Sequence, residues 1–241
     1  MSLIARHLAK RYQQKTVVEN ASFEVPQGHV VGLLGPNGAG KTTSFYMVMG
    51  LVEADGGEVL LDGNNITPLP MHRRARLGIT YLPQEASIFR NLTVRENIIA
   101  ILELTTSLNK AKRFERADEL MAELSITHKA DTLGIALSGG ERRRCELARA
   151  LATNPRYILL DEPFAGVDPL AVHEIRSLIE QLTLKNIGIL ITDHNVRETL
   201  KSCHHAYILS NGRVMAEGTP EQIVRNPLAI QHYLGHDFSL H

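Results

Sequence analysis

The stretch GPNGAGKT, Gly35 to Thr42, sets three glycines, a lysine and a threonine at the spacing of a phosphate-binding loop. Gly35, Gly38 and Gly40 let successive amides converge on a β-phosphate, where Cβ atoms would obstruct them. Lys41 adds a full positive charge at the β and γ oxygens, and the Thr42 hydroxyl is placed to ligate Mg²⁺. YILLDE supplies a second part: an apolar strand carries Asp161 to its C-terminal end, where it would hold the metal shell. Glu162, one residue on, is then set to orient or deprotonate an attacking water. A further anion site opens the run RRRCELARAL. LSGGE, Leu137 to Glu141, puts a serine and two glycines at a helix start, where unpartnered amides and the helix dipole attract a phosphate. Why one chain needs two such sites is the question its function must answer.

Three more residues fit around a γ-phosphate. Gln84, after the strand ITYLP, is an uncharged donor and acceptor in reach of metal and water. His194, ending GILITDH, can bond the γ-phosphate and steady Glu162, and Asp168 follows AGV just past the acidic pair. Singly, each is more often a surface or cap residue; their placement at or just past strand ends gives them weight. The run Arg142 to Arg144 fans around its helix and reads as solvated surface. Cys203, His204 and His205 adjoin one another but lack a second ligand pair at matching spacing, so no metal site of protein ligands alone is expected.

Positioning these groups needs an α/β frame. LIARHL, ASFEV and HVVGLLG read as strands, the last running straight into the glycine loop, and a helix follows from about Lys41 to Gly50. GEVLLDG closes on the hairpin signal Asp62-Gly63. TVRENIIAILEL and the stretch from Lys110 to Leu124 carry apolar residues at helical spacing. YILLDEP and IGILITDH, separated by a helix over about Leu170 to Leu184, suit central parallel strands covered on both faces. AYILSNGRVMAEG reads as two strands about a turn, with a capped helix at TPEQIVRN. The expected organisation is a single α/β domain over 1–241, with a core of 1–85 and 155–241 and an inserted helical lobe over 86–154.

The 241 residues, 44% of them hydrophobic, are enough to bury one large core, and 26 basic against 26 acidic residues give no overall field toward nucleic acid or an anionic membrane. Two distant cysteines suit a reduced cytosol. The start MSLIARHLAKRY lacks a signal-peptide core, and runs such as IIAIL and IGILI fall far short of the roughly 18 residues that span a bilayer. The reading is a soluble chain that could serve a membrane only as a peripheral subunit.

GPNGAGKTT, the glutamine of YLPQE, LSGGE, YILLDEP, AGVD and TDH, in that order, strongly resemble the ATP-binding subunits of ATP-binding cassette transporters, over essentially the whole chain. The resemblance implies a P-loop NTPase fold of the cassette type, a mixed sheet core with an inserted helical lobe, and ATP with Mg²⁺ as ligands. It adds Pro36, Asn37, Ala39 and Thr43 to the loop contacts, places Tyr12 where the family stacks an aromatic ring on adenine, and counts Ser138, Gly139, Gly140, Glu141 and Asp168 among the nucleotide contacts. It also implies that two copies meet head to tail, so that LSGGE of one faces the γ-phosphate held by the other. The second phosphate site then belongs to a neighbour's ATP.

The longer matches YLPQEASIFRNLTVREN, LSGGERRR, DEPFAGVDP and ITDHNVRETL resemble the ATP-binding subunits of lipopolysaccharide exporters of Gram-negative bacteria. That likeness implies a homodimer beneath two transmembrane subunits on the cytoplasmic face of the inner membrane, reaching its cargo only through them. It makes the loop from Ala86 to Asn91 part of a groove for a coupling helix, with Ile88, Phe89 and Arg90 as contacts; Phe89 anchoring the lobe to the core is an equal alternative. Branched-chain amino acid importers share the shape of TPEQIVRNPLAIQHYLG and are the alternative for cargo. Cassette ATPases of DNA repair or ribosomes usually carry paired cassettes, coiled coils or basic arms, which this neutral chain lacks. The tail YLGHDFSLH has no assigned role, packing against a second subunit being one option.

Overall fold

The computed structural model describes all residues except 167, 168, 236 and 241, and the side chains of 169–171. The chain opens with β1 (Ser2–Tyr12), β2 (Lys15–Pro26) and β3 (Val30–Leu34), then α1 (Lys41–Met49), β4 (Gly56–Leu61), β5 (Asn64–Asn65), α2 (Met71–Arg76) and β6 (Ile79–Leu82). Three longer helices follow: α3 (Val94–Thr105), α4 (Lys110–Glu123) and α5 (Gly139–Ala152). The rest alternates as β7 (Tyr157–Asp161), α6 (Pro169–Leu184), β8 (Gly188–Thr192), α7 (Val196–Ser202), β9 (His205–Ser210) and β10 (Arg213–Gly218), with the short α8 (Pro220–Ile223) behind.

Among the described residues ten strands form one sheet in the order β5-β4-β1-β2-β10-β9-β3-β8-β7-β6. Its character changes along that order. The flank built on β1, β2, β4 and β5 is antiparallel, whereas β9, β3, β8, β7 and β6 run parallel. Every residue of β3, β7 and β8 is buried, as continuous apolar runs require when helices cover both faces. The parallel arrangement sends the C-terminal ends of β3, β7 and β8 to one rim, the usual ligand edge of such sheets. One apolar cluster joins α1 to the inner antiparallel strands, through Phe45, Met47, Leu8 and Phe23; another joins α3, α4 and α5 to α6, through Ile98, Leu120, Cys145 and Ile179.

Two expectations need correction, and the tail, which had no assigned role, finds a place. β1 and β2 extend well beyond LIARHL and ASFEV to meet in a hairpin, Tyr12 opposite Lys15, where the buried Val18 stands among mostly polar residues too few in apolar alternation to signal a strand. The tail packs on its own chain: Tyr233, Leu234, Phe238 and Leu240 lie against the buried cluster of Leu34, Leu200 and Ile208. Arg143 and Arg144 are not simply solvated. Arg143 bonds the Pro83 carbonyl at 3.2 Å, and Arg144 bonds the Leu124 carbonyl at 3.0 Å and pairs with Glu174 at 3.1 Å, tying α5 to its neighbours.

Candidate active site

Leu34 ends β3, and the chain turns at once into the glycine loop. Gly40 is the N-cap of α1, with φ 96°, and a Cβ there would stand 2.7 Å from the Val17 carbonyl oxygen, so the position admits only glycine. No side chain caps α1, and its first turn carries no acidic residue. Its first amides are therefore left for an external anion. The Lys41 side chain folds back over the loop, its Nζ donating to the Gly35 and Pro36 carbonyls at 2.7 and 3.0 Å. Lys41 is 8% exposed, and its burial lowers the ammonium pKa while Glu162 opposes the shift. A buried cation held by neutral carbonyls, beside an uncapped helix start, fits a polyphosphate. Asn37, Gly38 and Thr42 are exposed around it, Pro36 and Thr43 half-buried and Ala39 buried.

Asp161 ends β7 at 7% exposure. Its Oδ1 accepts from Thr192 Oγ1 at 2.8 Å, and its Oδ2 faces the hydroxyls of Tyr81 and Tyr46 at 3.3 and 3.4 Å. The sequence offered no signal for Tyr46, Tyr81 or Thr192; they converge from separate segments, and burial pushes the Tyr81 phenol well above its ordinary value. Glu162 adopts φ 47°, uncommon for a residue with a side chain, and donates its amide to the Thr192 carbonyl at 2.7 Å. Its carboxylate Oε1 lies 2.7 Å from His194 Nε2.

Gln84 borders a cleft of about 570 Å³ together with Ser138, Gly139, Gly140, Glu141 and Glu162. Among the described residues none of the phosphate loop lines this cleft, whereas Glu162 and Gln84, expected around the loop's γ-phosphate, share it with the start of α5. In front of Gly139 the space is open, and at Gly140 a Cβ would meet only Glu174 Oε2 at 3.5 Å. At Glu141, expected as a nucleotide contact, the carboxylate accepts the Ser138 amide at 2.9 Å, the Ser138 hydroxyl accepts the Glu141 amide at 3.4 Å, and Lys129 Nζ stands 3.1 Å away. That capping box turns Glu141 onto its own helix.

Tyr12 sits at the end of β1, 47% exposed, with the Lys10 ammonium 5.5 Å from its ring. Asp168 lies outside the described residues. Ile88 is buried in the cluster of α3 to α6, so the expected exposed apolar contact fails there; Phe89 is 42% exposed, with the Arg149 guanidinium 4.2 Å over its ring, and Arg90 is exposed.

A phosphate loop, an acid pair at the end of a parallel strand and a histidine on the second acid, all on one mixed sheet, define a phosphate-loop ATPase. The ABC transporter family model matches residues 18–165, and a model for the branched-chain amino acid ATP-binding cassette transporter matches 213–239. The chain belongs to the ABC transporter family. It is 57% identical over 238 residues to the lipopolysaccharide export system ATP-binding protein LptB of Haemophilus influenzae, and 55% over 239 residues to that of Escherichia coli K12, in each case covering 99% of both chains. An ATP-binding cassette of an ABC transporter, crystallised in its ADP conformation, superposes with a TM-score of 0.87 at 29% identity, covering 98% of this chain and 100% of that one.

Proposed function

We propose that this protein is the ATP-hydrolysing subunit of a lipopolysaccharide exporter, working as a head-to-tail pair of identical copies beneath two transmembrane subunits at the cytoplasmic face of the inner membrane. The observation that carries the cargo is the 57% identity spanning 99% of both chains with a lipopolysaccharide export ATP-binding protein. Among the described residues no helix is long and apolar enough to cross a membrane. The loop at Phe89 and Arg90 is the surface assigned to the coupling helix.

In this reading the amides of Asn37 to Thr43 and the Lys41 ammonium hold the β- and γ-phosphates, while Tyr12 stacks on the adenine. Thr42 and Asp161, with Gln84, would hold magnesium alongside the phosphates, and that ion would neutralise charge on the bridging oxygens. Glu162 takes the proton of the attacking water. His194 steadies that carboxylate at 2.7 Å and reaches toward the γ-phosphate. Ser138, Gly139 and Gly140 of the second copy, with Asp168 near the same junction, grip the triphosphate from the other side. Loss of the γ-phosphoryl group removes that grip, and the pair reopens. The lobe over 86–154 would move with it against the core, giving the two-state element that turns chemistry into motion.

The match of residues 213–239 to the branched-chain amino acid transporter model favours a second reading, an importer subunit, but covers only this terminal segment. Purification of the chain from native membranes decides between them. Recovery with lipopolysaccharide-extracting membrane proteins is expected, and recovery with amino acid permeases would overturn the export reading. Hydrolysis per protomer of the isolated chain should rise with concentration in the dilute range; a flat dependence would contradict a shared site.

A further inference from the structure

Glu162 and His194 stand on two different turns, one after β7 and one after β8, yet their contact demands that these turns keep a fixed spacing. Backbone pairing alone does not fix it. Asp161 opposite Thr192 is the last register pair of β7 and β8, and beyond it the Glu162 amide reaches the Thr192 carbonyl while Ala165 closes a turn back to Glu162 at 3.2 Å. Glu162 itself is held at φ 47°, a conformation that persists in a residue with a side chain only where surrounding bonds over-determine it.

Asp193 lies between the two turns and is 1% exposed. One carboxylate oxygen, Oδ2, accepts the buried Phe164 amide at 2.7 Å, two residues past Glu162. The other, Oδ1, accepts the Asn195 amide at 2.7 Å, one residue past His194. The carboxylate thus bridges the turn of the base to the turn of the histidine. Burial raises its pKa and the neighbouring Glu162 charge adds to that, while the backbone amides oppose the shift; an apolar side chain here would leave the buried Phe164 amide without its acceptor. Asn195 in turn caps α7, its side chain accepting from the Glu198 amide at 3.3 Å, which anchors this end of the bridge to a helix.

We infer that Asp193 is a positioning residue for hydrolysis, holding Glu162 and His194 in register by bridging the Phe164 and Asn195 amides. Both its carboxylate oxygens are taken by backbone amides, so it acts through Glu162, and the inference rests on the reading of Glu162 as the base. Asp193→Asn is the informative change: it keeps the shape, but an amide has one acceptor oxygen where the carboxylate has two.

The test uses the purified full chain with magnesium and ATP. Binding affinity and stoichiometry come from calorimetry, so that rates are counted per ATP-binding site, and kcat and KM from steady-state hydrolysis. Asp193→Asn is expected to bind ATP within about threefold of wild type while kcat falls about 100-fold, the loss that a misplacement of about 1 Å brings. Residual hydrolysis of Glu162→Gln, followed in single turnover, should drop no more than about twofold further when Asp193→Asn is added, because groups acting through one another are not additive. A kcat near wild type in Asp193→Asn beside an inactive Glu162→Gln overturns the positioning role alone. A full multiplicative loss in the double variant does so too. Wild-type turnover in Glu162→Gln brings down the reading of Glu162, and this inference with it.

Discussion

Two helices of this chain have glycine at their starts, α1 capped by Gly40 of the phosphate loop and α5 opening on Gly139 of LSGGE, and they treat their first turns in opposite ways. α1 has Gly40 at its cap, no side chain on its first amides and no acid in its first turn. α5 closes on itself: Ser138 and Glu141 form a reciprocal capping box, and Lys129 joins the carboxylate. The physical consequence is a difference in readiness. An uncapped helix start with a desolvated lysine beside it gains strongly from any phosphate, because nothing on the chain competes for its amides. A self-capped start gains less, since a ligand must share the serine hydroxyl with the Glu141 amide. That asymmetry suits the proposed function, in which the phosphate loop binds the chain's own nucleotide and LSGGE adds contacts to a neighbour's.

The sharpest way to break the comparison is at the loop lysine. Lys41→Ala removes a charge-assisted bond in a largely buried setting, worth about 1.5–3 kcal/mol, so ATP affinity by calorimetry should fall by a factor from about 10 to about 150. The isolated, dilute chain should lose no such affinity when Ser138 is changed. Equal losses at the two positions would erase the distinction between a standing and a conditional phosphate site.

A matched pair of glycine changes comes next. Gly40→Ala forces a side chain into φ 96° and against the Val17 carbonyl at 2.7 Å, and strain of this kind costs about 1–3 kcal/mol. Gly139→Ala meets nothing within 4 Å, and alanine is the better helix former. Thermal unfolding should therefore separate them, with Gly40→Ala melting several degrees lower and Gly139→Ala at or above wild type. If Gly139→Ala also leaves hydrolysis at high protein concentration untouched, close approach of a phosphate to α5 is ruled out.

What the sequence made legible follows the same divide between local and assembled features. The phosphate loop, the acid pair and the strands β3, β7 and β8 are each written in one short segment, as glycine spacing, as adjacent carboxylates or as unbroken apolar runs. The surroundings of Asp161 were not readable, because Tyr46, Tyr81 and Thr192 come from three segments and meet only when β6, β7 and β8 align beside α1. Asp193 was hidden for the same reason: next to His194 it reads as an ordinary polar loop residue, and only the fold brings it the Phe164 amide. Ile88 went the other way. An apolar residue in a loop looked like a contact surface, and packing of α3 to α6 claimed it instead. The capping box at LSGGE was legible in principle, since serine followed three residues on by glutamate is its signature, but the glycines between them drew the reading toward an external anion.

Ser138→Ala tests the weaker helix start directly. Loss of an N-cap serine costs about 1 kcal/mol, which for a chain of this size moves the melting temperature by roughly 2–4 °C. Full-strength ATP binding by the dilute chain, together with this small shift, would place Ser138 on the conditional side of the comparison. An unchanged melting temperature would mean that the serine hydroxyl, 3.4 Å from the Glu141 amide, contributes nothing to the cap.

The smallest effect is at Glu141, and its sign depends on pH. Hydrogen bonding from the Ser138 amide first, then its hydroxyl, then Lys129, lowers the carboxyl pKa from the ordinary 4.5 to about 2. A group depressed on folding stabilises the native chain above its unfolded pKa, and that contribution disappears as pH falls through the folded value. Glu141→Gln should therefore be less stable than wild type at pH 7 by less than about 1 kcal/mol, since the carboxylate is partly solvated. The gap should hold down to pH 4.5, narrow between 4.5 and 2 and close below that, as read by chemical denaturation at a series of pH values. α1 has no acid in its first turn, so a similar acid-sensitive contribution cannot arise there. A gap that stays constant across this range would mean that shape and neutral hydrogen bonding, rather than charge, close the start of α5. The LSGGE amides would then face an incoming phosphate without a competing negative charge, and the contrast between the two helices would rest on the missing cap of α1 alone.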